Sequence, residues 1–435
     1  MKIETKNRIL LFIGDVFFLY ISLFFTLLIR YQGLPPGFPI SPSLREFFFY
    51  FSWLFLIWLF FLWMLDFYSL KLKVGSVDFF RFFSIFIFLS LLSGALYFYL
   101  QPNLPVSPKA IFILEIVIFS LLFFGWRRLF DFLLKDQKGK EKILILGSHP
   151  ELQNLIFTLQ KASFPYQLIC IQNFNSTSEI LKIIEKEKIQ KVVFADKVEN
   201  FKEASLFQKI EIESFTNFYE RTTQKVPLSA LNDVRYLEDF SKEENKSYVV
   251  LKRIFDIIFS VLGLLILAIF YPFIAIAIKI DSPGPVFFIQ ERVGKNRKFF
   301  RSYKFRSMYS SKREETDLWR EKNKKEITRV GKFLRATHLD ELPQLLNILK
   351  GDLSFVGPRP EWKKLAEKFE KEIPFYFLRY KAKPGLTGWA QLNLPPSTST
   401  EEAKEKFQYD LYYIKHQSFI FDLVIFLKSL RKIFG

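Results

Sequence analysis

The chain has 435 residues, half of them apolar, with 55 Phe and a formal net charge of +18. It is too long for one ordinary core, and so apolar a composition points to a membrane protein. One cysteine, Cys170, excludes an internal disulfide, and histidines at 149, 338 and 416 lack zinc-site spacing, so the polar part suits a reducing cytoplasm.

Residues 1–126 carry nine Lys/Arg against six Asp/Glu, so fifteen of the eighteen surplus positive charges lie beyond them. That surplus suits anionic headgroups or phosphate-rich substrates. Nucleic acid is not expected as a partner, because membrane attachment already accounts for it.

Four apolar runs open the chain: Ile9 to Ile29, Phe47 to Leu65, Phe82 to Leu100 and Ala110 to Gly125, each near the length of a spanning helix. The first lacks a small-residue cleavage site and reads as a retained anchor. Asp15 and Glu115 lie inside two runs, where an acid is costly and either functional or packed against a neighbouring helix. Lys2, Lys6 and Arg8, then Lys71, Lys73 and Arg81, then Arg127 and Arg128 flank the runs on one side, which predicts both ends of a four-helix transmembrane bundle (residues 1–128) in the cytoplasm.

Strand Lys142 to Leu146 meets Gly147, and strand Gln167 to Gln172, helix Ser178 to Lys188 and strand Lys191 to Ala195 follow. This alternation predicts a Rossmann-like parallel-sheet module over residues 140–240. A single glycine is not a dinucleotide fingerprint, so the module is expected to be structural or regulatory, without a bound dinucleotide.

The apolar stretch Ile254 to Ile278 is flanked by Lys252, Arg253 and Lys279 and contains Pro272. A fifth span would put the basic segments that follow it outside the cell, whereas a re-entrant helix that breaks at Pro272 and returns to the same face keeps both cationic flanks together. It opens a mainly α catalytic domain over residues 248–435.

Three compact blocks follow: Gln290 to Gly294, Lys304 to Met308, and Gly331 to Glu361. In the last, Asp340 and Glu341 precede Pro343, an apolar stripe and Gly351, which predicts a helix with both acids at its positive end. There the helix dipole would keep Asp340 ionised and attract phosphate. Because successive helical residues diverge, one acid can attack phosphorus while the other holds a hard cation, for which Mg²⁺ is the natural choice. Arg335, Arg359 between Pro358 and Pro360, Lys304 and Arg306 supply charge for binding phosphate. An acid pair at a helix start is by itself more often a cap than a catalyst, so order and combination carry the reading.

Lys252-Arg-Ile-Phe-Asp256, the broken apolar run, Gln290-x-Arg-x-Gly294, Tyr303-Lys-Phe-Arg-Ser-Met308, Leu339-Asp-Glu-Leu-Pro-Gln344, Gly351-Asp-Leu-Ser-Phe-Val-Gly-Pro-Arg-Pro360 and Pro384-Gly-Leu-Thr-Gly-Trp-Ala-Gln391 together resemble the bacterial sugar transferase family. These are monotopic phosphoglycosyl transferases, and the bundle and sheet module are similar to those of its large members. The resemblance implies transfer of a hexose-1-phosphate from a nucleotide sugar, UDP-linked, to undecaprenyl phosphate, at the start of exopolysaccharide, capsule or O-antigen synthesis. It implies Asp340 as nucleophile in a two-step reaction, Glu341 as the Mg²⁺ partner, and Arg335 and Arg359 as phosphate ligands. It further implies the bacterial inner membrane as location, with the site facing the cytoplasm, and admits a homodimer and downstream glycosyltransferases as partners besides lipid, donor and polyprenyl phosphate. Two positions depart from the family pattern: Tyr271 precedes Pro272 where Ser is frequent, and Lys383 stands where Arg is common.

His338 reads as local packing, since a carboxylate nucleophile needs no base at neutral pH. Phe419 to Phe434 mixes apolar residues with Lys428, Arg431 and Lys432, as a helix lying in the membrane surface would. The competing class is a catalytically idle scaffold or sensor of polysaccharide assembly, which should have lost the acids or their arginines. A transporter would need more polar groups within the spans.

Overall fold

The computed structural model describes the chain except residues 1–2, 32–41, 69–73, 101–108, 136–140, 162–165, 173–176, 196–209, 242–243, 310–325, 397–398 and 435. It divides into two compact units, Met1–Gly139 and Lys140–Gly435, so the expected sheet module and catalytic domain share one unit.

The first unit holds α1 (Ile3–Arg30), α2 (Pro42–Met64), α3 (Val77–Leu100) and α4 (Lys109–Lys135). Its core is largely aromatic, with Trp58 fully buried against Phe55, Phe86 and Phe119. Both embedded acids join helices. Arg127 of α4 bonds Asp15 of α1 at 2.5 Å, and Glu115 of α4 accepts from Ser22 and Thr26 of α1. Polar groups buried in an apolar medium are stabilised only when paired, so these contacts set how α1 meets α4.

Four described helices are long and apolar enough to cross a membrane and mark the chain as a membrane protein: α1, α2, α3 and, in the second unit, a helix over Lys246–Asp281. The expected fourth span forms as α4, and its Ala110–Gly125 run carries one charge, Glu115.

The second unit begins with β1 (Glu141–Leu146), α5 (Leu152–Lys161), β2 (Tyr166–Ile171), α6 (Thr177–Glu187), β3 (Lys191–Phe194), β4 (Glu211–Ser214) and α7 (Phe215–Thr223). The strands form a parallel sheet in the order β2-β1-β3-β4. Alternation within β1 covers both faces. Ile143 and Ile145 pack with α5 and α7, while Leu144 and Leu146 pack with α6. Beyond β1, Glu151 accepts from the backbone N–H and hydroxyl of Ser229, in a 3-10 turn over Leu228–Asn232. Leu231 of that turn and the preceding Val226 are buried with Phe407 and Leu411, so this connector ties the sheet to the C-terminal half.

After α8 (Val234–Ser241), α9 runs through Pro272 from Lys246 to Asp281, capped by the Asn245 side chain. Both of its ends are fastened to the same domain. Arg253 donates to the carbonyls of Ile348 and Leu349, and Lys252 to that of Val356. At the far end Asp281 accepts from the Val330 N–H, and Leu267 and Ile278 share a cluster with Phe305 and Leu334. Tyr271 stacks on Phe287 with rings 5.9 Å apart and 9° from parallel. At this position, where Ser would offer a hydrogen bond, an aromatic contact steadies the proline segment instead.

The rest comprises the hairpin β5 (Phe287–Val293) and β6 (Phe299–Phe305), α10 (Arg329–Ala336), α11 (Leu345–Lys350), β7 (Ser354–Val356), α12 (Lys363–Glu372), β8 (Gly385–Thr387), α13 (Trp389–Asn393), α14 (Thr400–Lys415) and α15 (Phe419–Phe434). β7 and β8 pair in parallel.

Arg306 departs from expectation. Its buried guanidinium donates to the carbonyls of Ser282 (2.6 Å) and Pro283 (2.9 Å) and approaches that of Ile278 (3.5 Å), so it caps the end of α9 and is not placed to bind phosphate. Gly284, at φ +127°, makes room: a Cβ there would lie 2.0 Å from the guanidinium. Arg306→Met removes the donors from the Ser282 and Pro283 carbonyls, of which the first belongs to a buried residue, so we expect about 2 kcal/mol less unfolding free energy. Denaturant titration of the detergent-solubilised protein measures this, and an unchanged midpoint contradicts the capping role.

Candidate active site

Asp340 and Glu341 lie in a 3-10 turn over Leu339–Gln344, entered through His338 at φ 56° and followed by α11. The expected single helix is therefore delayed by about one turn. Pro343 has no N–H with which to bond the preceding turn, and regular α-helical winding begins only after it, at Leu345. The predicted stop holds: Gly351 takes φ +97° and its N–H reaches the carbonyls of Asn347 and Ile348.

β6 is fixed beside this segment by Asn347, which is fully buried. Its side chain accepts from the Tyr303 N–H (3.1 Å) and donates to the Arg301 carbonyl (2.7 Å). Lys304, next along β6, then reaches Glu341 Oε1 at 2.6 Å. Arg359 arrives from a third direction. β7 and β8 hold the loop after Val356 through Gly357 N–H to Thr387 O and Gly385 N–H to Pro358 O, both 2.9 Å, and Arg359 donates to the same Glu341 Oε1 at 2.8 Å. Arg335, on α10, donates through Nε to Ser307 Oγ at 2.8 Å. The fold thus brings Lys304, Arg335 and Arg359 around the acid pair and leaves out Arg306.

The two acids are electrostatically unequal. Burial alone would raise the Glu341 carboxyl, but Arg359 and Lys304 hold it well below the usual carboxylate range. Asp340 goes the other way: burial and then the charge of Glu341 push it above its ordinary value, against the opposing pull of Lys304, Arg335 and His338. Burial of Asp340 thus opposes the helix-dipole effect expected from the sequence. Among the described residues the Asp340 carboxylate has no hydrogen-bond or ion-pair partner. One acid is tied to two cations, and its neighbour is uncommitted and less comfortable as an anion. A buried carboxylate of the second kind is the better nucleophile toward an electrophile delivered to it.

A magnesium ion needs one or two carboxylates and draws its remaining ligands from substrate phosphates and water. The acid pair fits that modest requirement, and no group of three His, Cys, Asp or Glu side chains suited to a dedicated metal cage occurs among the described residues. Sequence reasoning missed a buried network behind the site, in which Arg379 meets Asp410 at 2.8 Å and Glu361 at 3.6 Å, and Lys406 meets Glu361 at 2.7 Å. In the sequence Glu361 ends the Gly331 to Glu361 block, while Arg379, Lys406 and Asp410 lie outside the recognisable blocks.

Residues 247–435 match the family model described as bacterial sugar transferase. An exopolysaccharide production protein, PSS, of Rhizobium leguminosarum bv. phaseoli is 43% identical over 183 residues, 41% of this chain and 92% of that protein. The chain belongs to the bacterial sugar transferase family. It is also 40% identical over 186 residues to the UDP-N-acetylgalactosamine-undecaprenyl-phosphate N-acetylgalactosaminephosphotransferase of Aeromonas hydrophila, 43% of this chain and 44% of that one. A UDP-glucose:undecaprenyl-phosphate glucose-1-phosphate transferase of Escherichia coli K12 is 41% identical over 181 residues, 41% of this chain and 39% of that one. The matched segment thus spans less than half the length of these last two sugar transferases. It contains α9, the hairpin, the acid pair and the Arg359 loop.

Glu341→Gln removes the charge on which Lys304 and Arg359 converge while all three side chains are largely buried. We expect a loss of about 3 kcal/mol in stability, as for other broken buried pairs. The unfolding midpoint should fall by several degrees, and an unshifted midpoint contradicts the shared-carboxylate geometry.

Proposed function

We propose that this sugar transferase moves a hexose-1-phosphate from a nucleotide sugar, UDP-linked, to undecaprenyl phosphate through an aspartyl phosphosugar, and so starts surface polysaccharide synthesis. The observation that carries this reading is the unequal acid pair: Asp340 uncommitted beside a Glu341 that is locked to Lys304 and Arg359. In the first step an Asp340 oxygen bonds to the phosphorus that carries the sugar, and the bond from that phosphorus to the bridging oxygen breaks, releasing nucleoside monophosphate. In the second, an undecaprenyl phosphate oxygen attacks the same phosphorus, the bond to Asp340 breaks, and the carboxylate is regenerated. Lys304, Arg335 and Arg359 neutralise the phosphate oxygens, and Glu341 keeps two of those cations in place between turnovers.

Glu341 would hold a Mg²⁺ ion, which when bound would supply charge neutralisation for the leaving phosphate. The chain's own contribution is to hold the cations and keep water away from Asp340. Fastening of both ends of α9 to one domain supports a re-entrant path, with Pro272 as the break and residues 252 and 279 on one membrane face. On that path the site faces the cytoplasm at the inner membrane, where a soluble donor and a lipid acceptor can meet. The layered parallel sheet supports a Rossmann-like module whose connector, seated on Glu151, serves the catalytic half structurally.

Purified protein is assayed for release of nucleoside monophosphate from nucleotide sugar. Asp340→Asn should lower release about 10³-fold or more, as removal of a nucleophile does. Only the carboxylate attacks, and its pKa is raised. The wild-type rate should therefore fall with acidification through a pKa above the usual aspartate value of about 3.9. Undiminished release by Asp340→Asn would remove the nucleophile assignment.

A further inference from the structure

Pro358 and Pro360 leave Arg359 as the one residue of its tripeptide with a backbone N–H. A segment so short of donors can be held mainly by its carbonyls, and four in succession are held. Pro358 O accepts from the Gly385 N–H (2.9 Å), Arg359 O from Arg379 (3.0 Å), Pro360 O from Arg292 (3.0 Å) and Glu361 O from the Val293 N–H (3.0 Å). At Arg359 the carbonyl is held by the Arg379 side chain.

Arg379 lies in the 3-10 turn Tyr376–Lys381 and is 3% exposed. One arm of its guanidinium donates to the Tyr376 hydroxyl at 2.9 Å. The other serves two acceptors at once, Asp410 Oδ2 at 2.8 Å and the Arg359 carbonyl at 3.0 Å. Asp410 stands on α14 and is buried, so the fork is referenced to the domain core and not to the loop that it holds. Glu361, held near a pKa of about 2 by Lys406 and Arg379 despite its burial, stays ionised at working pH. A charged pair buried this deeply contributes little net stability compared with an apolar replacement, and its fixed geometry is what the Arg359 carbonyl receives.

We propose that Arg379, braced by Asp410 and Tyr376, is a positioning residue that sets the backbone of Arg359 and thereby aims the Arg359 guanidinium at substrate phosphate. The inference rests on the reading of Arg359 as a phosphate ligand. Lysine at 379 keeps the charge on Asp410 but cannot spread over three acceptors as the planar fork does.

The test is a double-mutant cycle on the full-length protein in nanodiscs, reading kcat/KM for nucleotide sugar. Arg359→Met should cost about 100-fold, as loss of one charge-stabilising donor does. Arg379→Lys should cost about 30-fold when Arg359 is present and under about 3-fold in the Arg359→Met background, because the residue acts through Arg359. An equal cost in both backgrounds overturns the positioning role and leaves the phosphate reading intact. An Arg359→Met protein at the wild-type rate overturns the phosphate reading and the inference with it. Should Arg379→Lys fail to fold, Tyr376→Phe removes one brace only. It should cost about 5-fold with Arg359 present and nothing in its absence, and a cost independent of Arg359 again overturns the role.

Discussion

The site depends on one carboxylate shared by two cations. Lys304 comes from a hairpin, Arg359 from a proline-bounded loop and Glu341 from a 3-10 turn, and all three meet at a single oxygen, Oε1. Three segments far apart in the chain are thereby fixed within hydrogen-bonding distance of one point. The arrangement also sets the local charge: with Arg335, three cations face two carboxylates and leave a surplus that a phosphate group can satisfy. Asp340 is raised partly by the charge of that same neighbour, so a single interaction both organises the cations and prepares the second acid.

Around this point the architecture works by fastening backbone carbonyls. Arg253 closes the end of α11, Arg306 the end of α9, and Arg379 and Arg292 the Arg359 loop. Arginine suits this because its rigid fork can serve several carbonyls at once where lysine offers one point charge. These four arginines are thus committed to structure, while Lys304, Arg335 and Arg359 are turned toward the acids. With both ends of α9 tied to this framework, the most apolar element of the second unit is joined directly to the site.

Much of this was legible from residue types and spacing. The apolar runs, the alternation of strands and helices in the parallel-sheet module, the Gly351 stop and the grouping of Lys304, Arg335 and Arg359 about the acid pair all follow from local pattern. What was not legible depends on partners. Arg306 has the same charge and a similar sequence setting to Lys304, yet it lies two residues further on, past the end of β6, and turns to the end of α9. The acid pair read as an α-helical start because Pro343 is equally at home in the first turn of an α-helix, while its missing N–H acts only once the backbone closes. Arg379 and Asp410 carry no local signal, since a buried arginine and an exposed one have the same letter.

The most direct test of the account is covalent trapping. Protein is incubated with nucleotide sugar labelled in the phosphate next to the sugar, without polyprenyl phosphate, then quenched and digested for mass spectrometry. The account predicts one phosphosugar per active chain, on the peptide containing Asp340, and its discharge when undecaprenyl phosphate is added before quenching. Label on another residue, or product formed with no labelled protein at any time, would contradict it.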